Sequence, residues 1–162
     1  MNALFSKMLG WAILIQAVIS GALAQEDIAT ARTMGVGATV QISGIVTSGP
    51  ELGKIRYMQD ATAGMAVYSS LLADVKRGDS ITIKGELREY AGLLEVDPVQ
   101  ELQVHSWGHE DPEALELTPP EFAEEYEGML VLVRGAQFSS SGVFDRMAYS
   151  FSASGRNGQL YI

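Results

Sequence analysis

His105 and His109 stand four positions apart, the separation that brings two imidazoles to one face of an α-helix as metal ligands. Ser106-Trp107-Gly108 between them and Asp111-Pro112 after them favour a loop, so two surface histidines and no metal site are the expectation. Ser139, Ser140 and Ser141 lack the Gly-x-Ser-x-Gly elbow that presents a nucleophile, and the chain has no cysteine to offer a thiolate. Gly35-Val36-Gly37 opens like a dinucleotide-binding turn, but the third glycine is missing and a strand follows where that mechanism needs a helix N-terminus. Glu121, Glu124, Glu125 and Glu127 read as the solvated face of a short helix rather than as paired acid–base carboxylates. Neither catalysis nor a cofactor is expected.

What remains is a set of basic and aromatic residues: Lys54, Arg56, Tyr57, Tyr68, Arg88 and Tyr90. An aromatic ring beside a guanidinium is what a base or a sugar ring stacks on and hydrogen-bonds to. Alternation puts Lys54, Arg56 and Met58 on one face of a strand and Ile55, Tyr57 and Gln59 on the other. Arg56 is the stronger ligand residue, because arginine is rarely buried unpaired. Tyr57 shares its face with apolar Ile55 and reads equally as a core residue whose hydroxyl reaches the rim. The 162 residues carry 11 Lys and Arg against 20 Asp and Glu, a net charge of −9, which argues against a general grip on phosphate backbones. Lys54, Arg56, Lys84 and Arg88 are offset by Glu86, Glu89, Glu95 and Asp97, so a saccharide or protein suits the set as well as single-stranded nucleic acid does.

The elements that must position these residues begin after residue 24. Lys7, the apolar run of residues 8–19 and the small-x-small triplet Ala22-Leu23-Ala24 read as a secretory signal peptide cleaved between Ala24 and Gln25. The run is shorter than the ~20 residues of a bilayer span, so no membrane span is expected after cleavage, and the protein is secreted or periplasmic. Its removal takes one lysine and no acid, leaving 10 basic and 20 acidic side chains. Eight of those acids, with no base, fall in residues 108–127, which read as an acidic linker with a short helix.

Asp27 followed by residues 28–34 and Gly35 fits a short helix. Residues 38–47 alternate apolar and polar until Gly44, where the phase is expected to slip at a bulge or bend. Two short strands, 52–60 and 64–69, flank a tight connection at Ala61-Thr62-Ala63, and after a brief link residues 80–90 alternate cleanly. A turn at Ala91-Gly92 leads into residues 93–96 and, past Asp97-Pro98, 99–104. Three strands, a link and two more strands, with glycines in the long first and fourth, is the plan of an all-β, five-stranded Greek-key OB-fold barrel over residues 25–107.

The runs Val40–Thr47, Ile55–Tyr68, Gly78-Asp79 and Ile81–Gly85, with Gln-Asp-Ala-Thr-Ala-Gly as the most distinctive part, resemble the OB-fold module of exported bacterial proteins. Such modules are found beside secreted endonuclease/exonuclease/phosphatase-type nucleases and lamin-tail domains. The resemblance covers residues 28–107 and implies a secreted, non-catalytic binding or accessory module of a larger exported protein, holding nucleic acid or a saccharide. A structural spacer is the alternative reading; a nuclease in its own right lacks the residues for it.

Residues 128–162 echo the opening of the first unit, Gly135 lying 91 positions after Gly44. They are expected to start a second, incomplete OB-like unit, completed by C-terminal domains of the same polypeptide, with a hairpin at Asn157-Gly158. A three-stranded sheet docked on the first barrel is the other reading.

Overall fold

The computed structural model describes residues 24–143 and 147–161, so the expected signal segment up to residue 23 lies outside the described residues. Asp27 opens α1 (Ile28–Thr33), its carboxylate accepting from the Thr30 amide at 2.6 Å as a helix N-cap does. Ile28 and Ala31, three apart, form the buried stripe of this one-sided helix.

Five strands follow: β1 (Thr39–Val46), β2 (Ile55–Gln59), β3 (Gly64–Tyr68), β4 (Ser80–Tyr90) and β5 (Leu93–Ser106). They close a barrel in the order β1-β2-β3-β5-β4. All neighbours are antiparallel except β3 and β5, which run parallel with Ala66 opposite Glu95 and Val67 opposite Val96. This is the OB-fold order. Period-two alternation fills the interior: Val40, Ile42, Met58, Val67, Ile83 and Leu87 are fully buried, with Leu72 and Val75 from the β3–β4 link closing one end.

The expected phase slip at Gly44 does not occur. Val40, Ile42 and Val46 are buried and keep the same parity along the strand, and the β1–β4 register is continuous from Thr39 to Ile45. Glycine is required there because a Cβ would lie 2.7 Å from the Gln59 carbonyl oxygen, where β1 leaves β4 for β2. Gly85 does sit at a register shift: its Cβ would meet Val96 Cγ1 at 2.5 Å. The two segments expected after Ala91-Gly92 are one strand, β5, running through Asp97-Pro98.

The Gln-Asp-Ala-Thr-Ala-Gly hairpin is built around one carboxylate. Asp60 Oδ1 accepts from the Thr62 and Ala63 amides and the Thr62 hydroxyl, while Oδ2 accepts from the Ile28 amide at 2.8 Å, tying the β2–β3 turn to α1. Burial opposes the charge, but the bonds from Thr62, Ile28 and Ala63 outweigh it and hold the Asp60 carboxyl below its usual range. A lowered folded-state pKa stabilises the fold above the unfolded value of about 4, and that contribution is lost as pH falls through the folded value. Asp60→Ala is expected to cost about 2 kcal/mol at pH 7 and to shrink the stability difference between pH 7 and pH 3, as urea unfolding at the two pH values would show.

Residues after the barrel form β6 (Leu115–Glu116), β7 (Val131–Leu132), β8 (Gln137–Phe138), β9 (Ala148–Ala153) and β10 (Arg156–Tyr161). β8, β9 and β10 make an antiparallel three-stranded sheet with β9 in the centre, the same meander as β1–β3, and β6 pairs with β7 in parallel. The strand expected over residues 129–138 is interrupted at Arg134-Gly135, where Gly135 takes φ 63°. The hairpin turn lies at Ser154-Gly155, φ 51° and 71°, the double positive φ of a type I′ turn. Asn157-Gly158 instead lies within β10, and Gly158 makes room for the Phe151 ring, whose Cζ a Cβ would meet at 2.6 Å. The short helix expected in 121–127 is a pair of 3₁₀ turns, Pro119–Glu121 and Glu124–Tyr126. Among the described residues no helix is long and apolar enough to cross a membrane.

Candidate functional site

The outer face of β2, β3, β5 and β4 carries a groove of about 550 Å³. Register explains its lining. Ile55 pairs with Tyr68 across β2–β3, and Arg88 with Glu95 and Tyr90 with Leu93 across β4–β5, so all project to the side opposite the core residues Leu87 and Val96. Asp97 follows Glu95 on the same face, Leu52 enters from the β1–β2 loop, and the two-residue turn Ala91-Gly92, with φ 52° and 89°, folds β5 back along β4.

Three of the six expected ligand residues meet here: Tyr68, Arg88 and Tyr90. Tyr90 is 66% exposed at the open end. Arg88 Nη1 donates to Asp97 Oδ2 at 2.9 Å, so the guanidinium is paired to a carboxylate of the groove itself. Tyr57 is half-buried farther along the same face, and burial, then the charges of Glu127 and Glu95, push its hydroxyl pKa upward. Lys54 is exposed just before β2 and does not line the groove.

Arg56 is a correction to the sequence reading. It lies inside the barrel with Met58, 1% exposed, while Ile55 and Tyr57 take the outer face. Its guanidinium donates to four carbonyls: Nε to Val75 at 2.9 Å, Nη1 to Gly53 and Ile55 at 2.8 Å each, and Nη2 to Leu72 at 3.1 Å. No carboxylate is among these partners. Arg56 binds the β1–β2 loop and the β3–β4 link to the barrel, and it presents nothing to a ligand.

Glu95, missed as a site residue, occupies the centre of the groove at 5% exposure. Burial, and then the charge of Asp97, push its carboxyl above the usual carboxylate range, with Arg88 pulling the other way. The signal was present in residues 93–97, where Glu95 is an acid within a short strand framed by Leu94 and Val96.

The acidic segment packs against α1, the β2–β3 hairpin and the start of β5. Arg32 of α1 donates through Nη1 to the Gly64 carbonyl at 3.2 Å and through Nη2 to the Glu124 carbonyl at 3.2 Å and Glu127 Oε2 at 3.1 Å. The same Glu127 oxygen accepts from the Leu94 amide at 3.3 Å, and the Leu130 amide donates to Gln59 Oε1 at 2.7 Å. At its start, Arg77 holds Asp111 in a bidentate pair and the His109 amide donates to the Gly78 carbonyl at 2.8 Å. Residues 108–130 therefore run as a strap against the barrel, seated on the β2–β3 hairpin, where the sequence reading expects a linker. His105 lies in β5, bonded through Nε2 to Thr82 Oγ1 at 2.7 Å, and His109 Nε2 meets Ser106 Oγ at 2.6 Å.

No family model matches the chain, and no curated protein matches it. Among solved structures the chain is similar to the hypothetical protein ygiW of E. coli, with 16% identity over 51% of this chain and 90% of that one and a TM-score of 0.43.

Proposed function

We propose that this chain is an exported, non-catalytic binding module that holds its ligand in the groove between Tyr68 and Tyr90. The observation that supports it is the groove itself: two partly exposed tyrosines and four aliphatic side chains surround a few polar groups, the composition of a ligand site. Function resides in such a site rather than in the barrel, which serves many purposes. The export part of the reading rests on residues 1–24 alone.

A small ligand suits this groove better than a nucleic-acid strand. A strand-binding surface needs a line of cations along the backbone path. Here Arg88 is the single cation in the lining, it is committed to Asp97, and Glu95 and Asp97 outnumber it.

The test uses the protein recovered from an exporting host, its mature mass beginning at Gln25, titrated with small amines, oligosaccharides and single-stranded DNA. Binding of a small ligand, weakened about tenfold by Tyr68→Ala or Tyr90→Ala without loss of folding, is the expected outcome. Binding that ignores both substitutions would falsify the placement. DNA binding that fades steeply with salt would instead favour a strand-binding role.

A further inference from the structure

The carboxylate of Glu95 has no partner. No hydrogen bond or ion pair reaches its oxygens from any described residue, whereas Asp97 beside it is paired with Arg88 and Glu127 at the strap with Arg32. No described side-chain oxygen is wholly sealed without a partner, so the Glu95 oxygens open onto the groove they line. The body of the side chain is covered by protein while its oxygens face the groove without a protein donor, so water or a ligand completes their contacts, with the Arg88 charge acting only from beyond bonding distance.

The surroundings restrict what that is. An anion meets two carboxylates and one already neutralised guanidinium. A divalent metal ion wants several oxygen ligands, and Glu95 alone is uncommitted. A neutral sugar can hydrogen-bond to the carboxylate but leaves its charge uncompensated. Leu52, Ile55 and Leu93, with the rings of Tyr68 and Tyr90, offer apolar and aromatic walls around that single negative charge.

We propose that the groove takes an organic cation, a protonated amine on an apolar stem, with its ammonium on Glu95 and its stem between Tyr68 and Tyr90. This deepens the groove reading and rests on it. The same chemistry is offered by a free alkylamine and by a lysine side chain of a peptide, and the probes separate the two.

The experiment titrates the whole protein with n-pentylamine, its neutral counterpart 1-pentanol, and Nα-acetyl-lysine-N-methylamide, by calorimetry and by chemical-shift mapping near neutral pH. The amine is expected to bind at least about tenfold more tightly than the alcohol and to shift Tyr68, Tyr90 and Glu95 signals. Tighter binding of the lysine derivative than of pentylamine assigns the amine to a peptide. Glu95→Gln, of nearly the same shape, is expected to erase the preference for amine over alcohol while the melting temperature holds or rises. Equal binding of amine and alcohol to the native protein overturns the inference, even if the variant proves unstable. So does a preference that survives Glu95→Gln. If no amine binds but a saccharide or oligonucleotide does, with dependence on Tyr68 and Tyr90, the cation falls and the groove reading stands. If no probe binds, both fall.

Discussion

Arg56→Ala is expected to lower the free energy of unfolding by about 3–5 kcal/mol and the melting temperature by on the order of 10 °C. The guanidinium is buried and donates to the carbonyls of Val75, Gly53, Ile55 and Leu72, which no other side chain replaces when it is cut back. Truncation combines a cavity beside Met58 with carbonyls stripped of their donor, each such loss costing about 1–3 kcal/mol when the group stays dry. Arg56→Met separates these effects: it fills the space but supplies no donor to the carbonyls, of which that of Leu72 keeps the Val75 amide, and so recovers only part of the loss. Lys54→Ala, two positions away and exposed, serves as the control, within about 0.5 kcal/mol of the native protein. Thermal and urea unfolding of the three variants checks the order. An Arg56→Ala protein that melts like the native one while losing ligand would return Arg56 to the binding surface.

Gly64→Ala is expected to lift the strap off the barrel. A Cβ on Gly64 would lie 2.2 Å from both the carbonyl carbon and oxygen of Gly128 and 2.5 Å from the Met129 nitrogen, all of them backbone that no rotamer change can move aside. Gly128 also holds φ 79°, a conformation natural to glycine, so the two glycines let two backbones pass at a distance closed to any side chain. Overpacking of this kind costs about 1–3 kcal/mol, and the side free to yield is the strap, because β3 is locked between β2 and β5. The amides of Leu130 and Leu94, which donate to Gln59 and Glu127, should lose protection in hydrogen exchange while the barrel amides of β4 keep theirs. Unchanged protection at Leu130 and Leu94 would mean that the strap is not seated there. Because the Glu127 charge acts on Tyr57, the same variant should also lower the raised Tyr57 pKa.

The strap and the groove lie at different parts of the barrel surface. The strap occupies the β2–β3 hairpin end of the face, around Gln59 and Gly64, and leaves the Tyr68–Tyr90 end open.

The fold was largely legible in the residues. Alternation in 80–90, the Asp27 cap and the Ala61-Thr62-Ala63 connection are local signals, and local backbone preference and burial act on them directly. Of the six candidate residues, Tyr68, Arg88 and Tyr90 converge on one groove. Alternation in β2 separated Arg56 and Met58 from Ile55 and Tyr57 correctly, but each face offers one apolar and one polar side chain, so period two alone names the faces without saying which is inside. Only the closed barrel decided that, by bringing the Leu72 and Val75 carbonyls of the β3–β4 link, beside the local carbonyls of Gly53 and Ile55, around the guanidinium and making the interior the cheaper place for it. Tertiary structure likewise decided the contact of Gly64 with Gly128 and the burial of Glu95, because both depend on segments far apart in the chain, and pattern along a sequence carries no information about what will be packed against it.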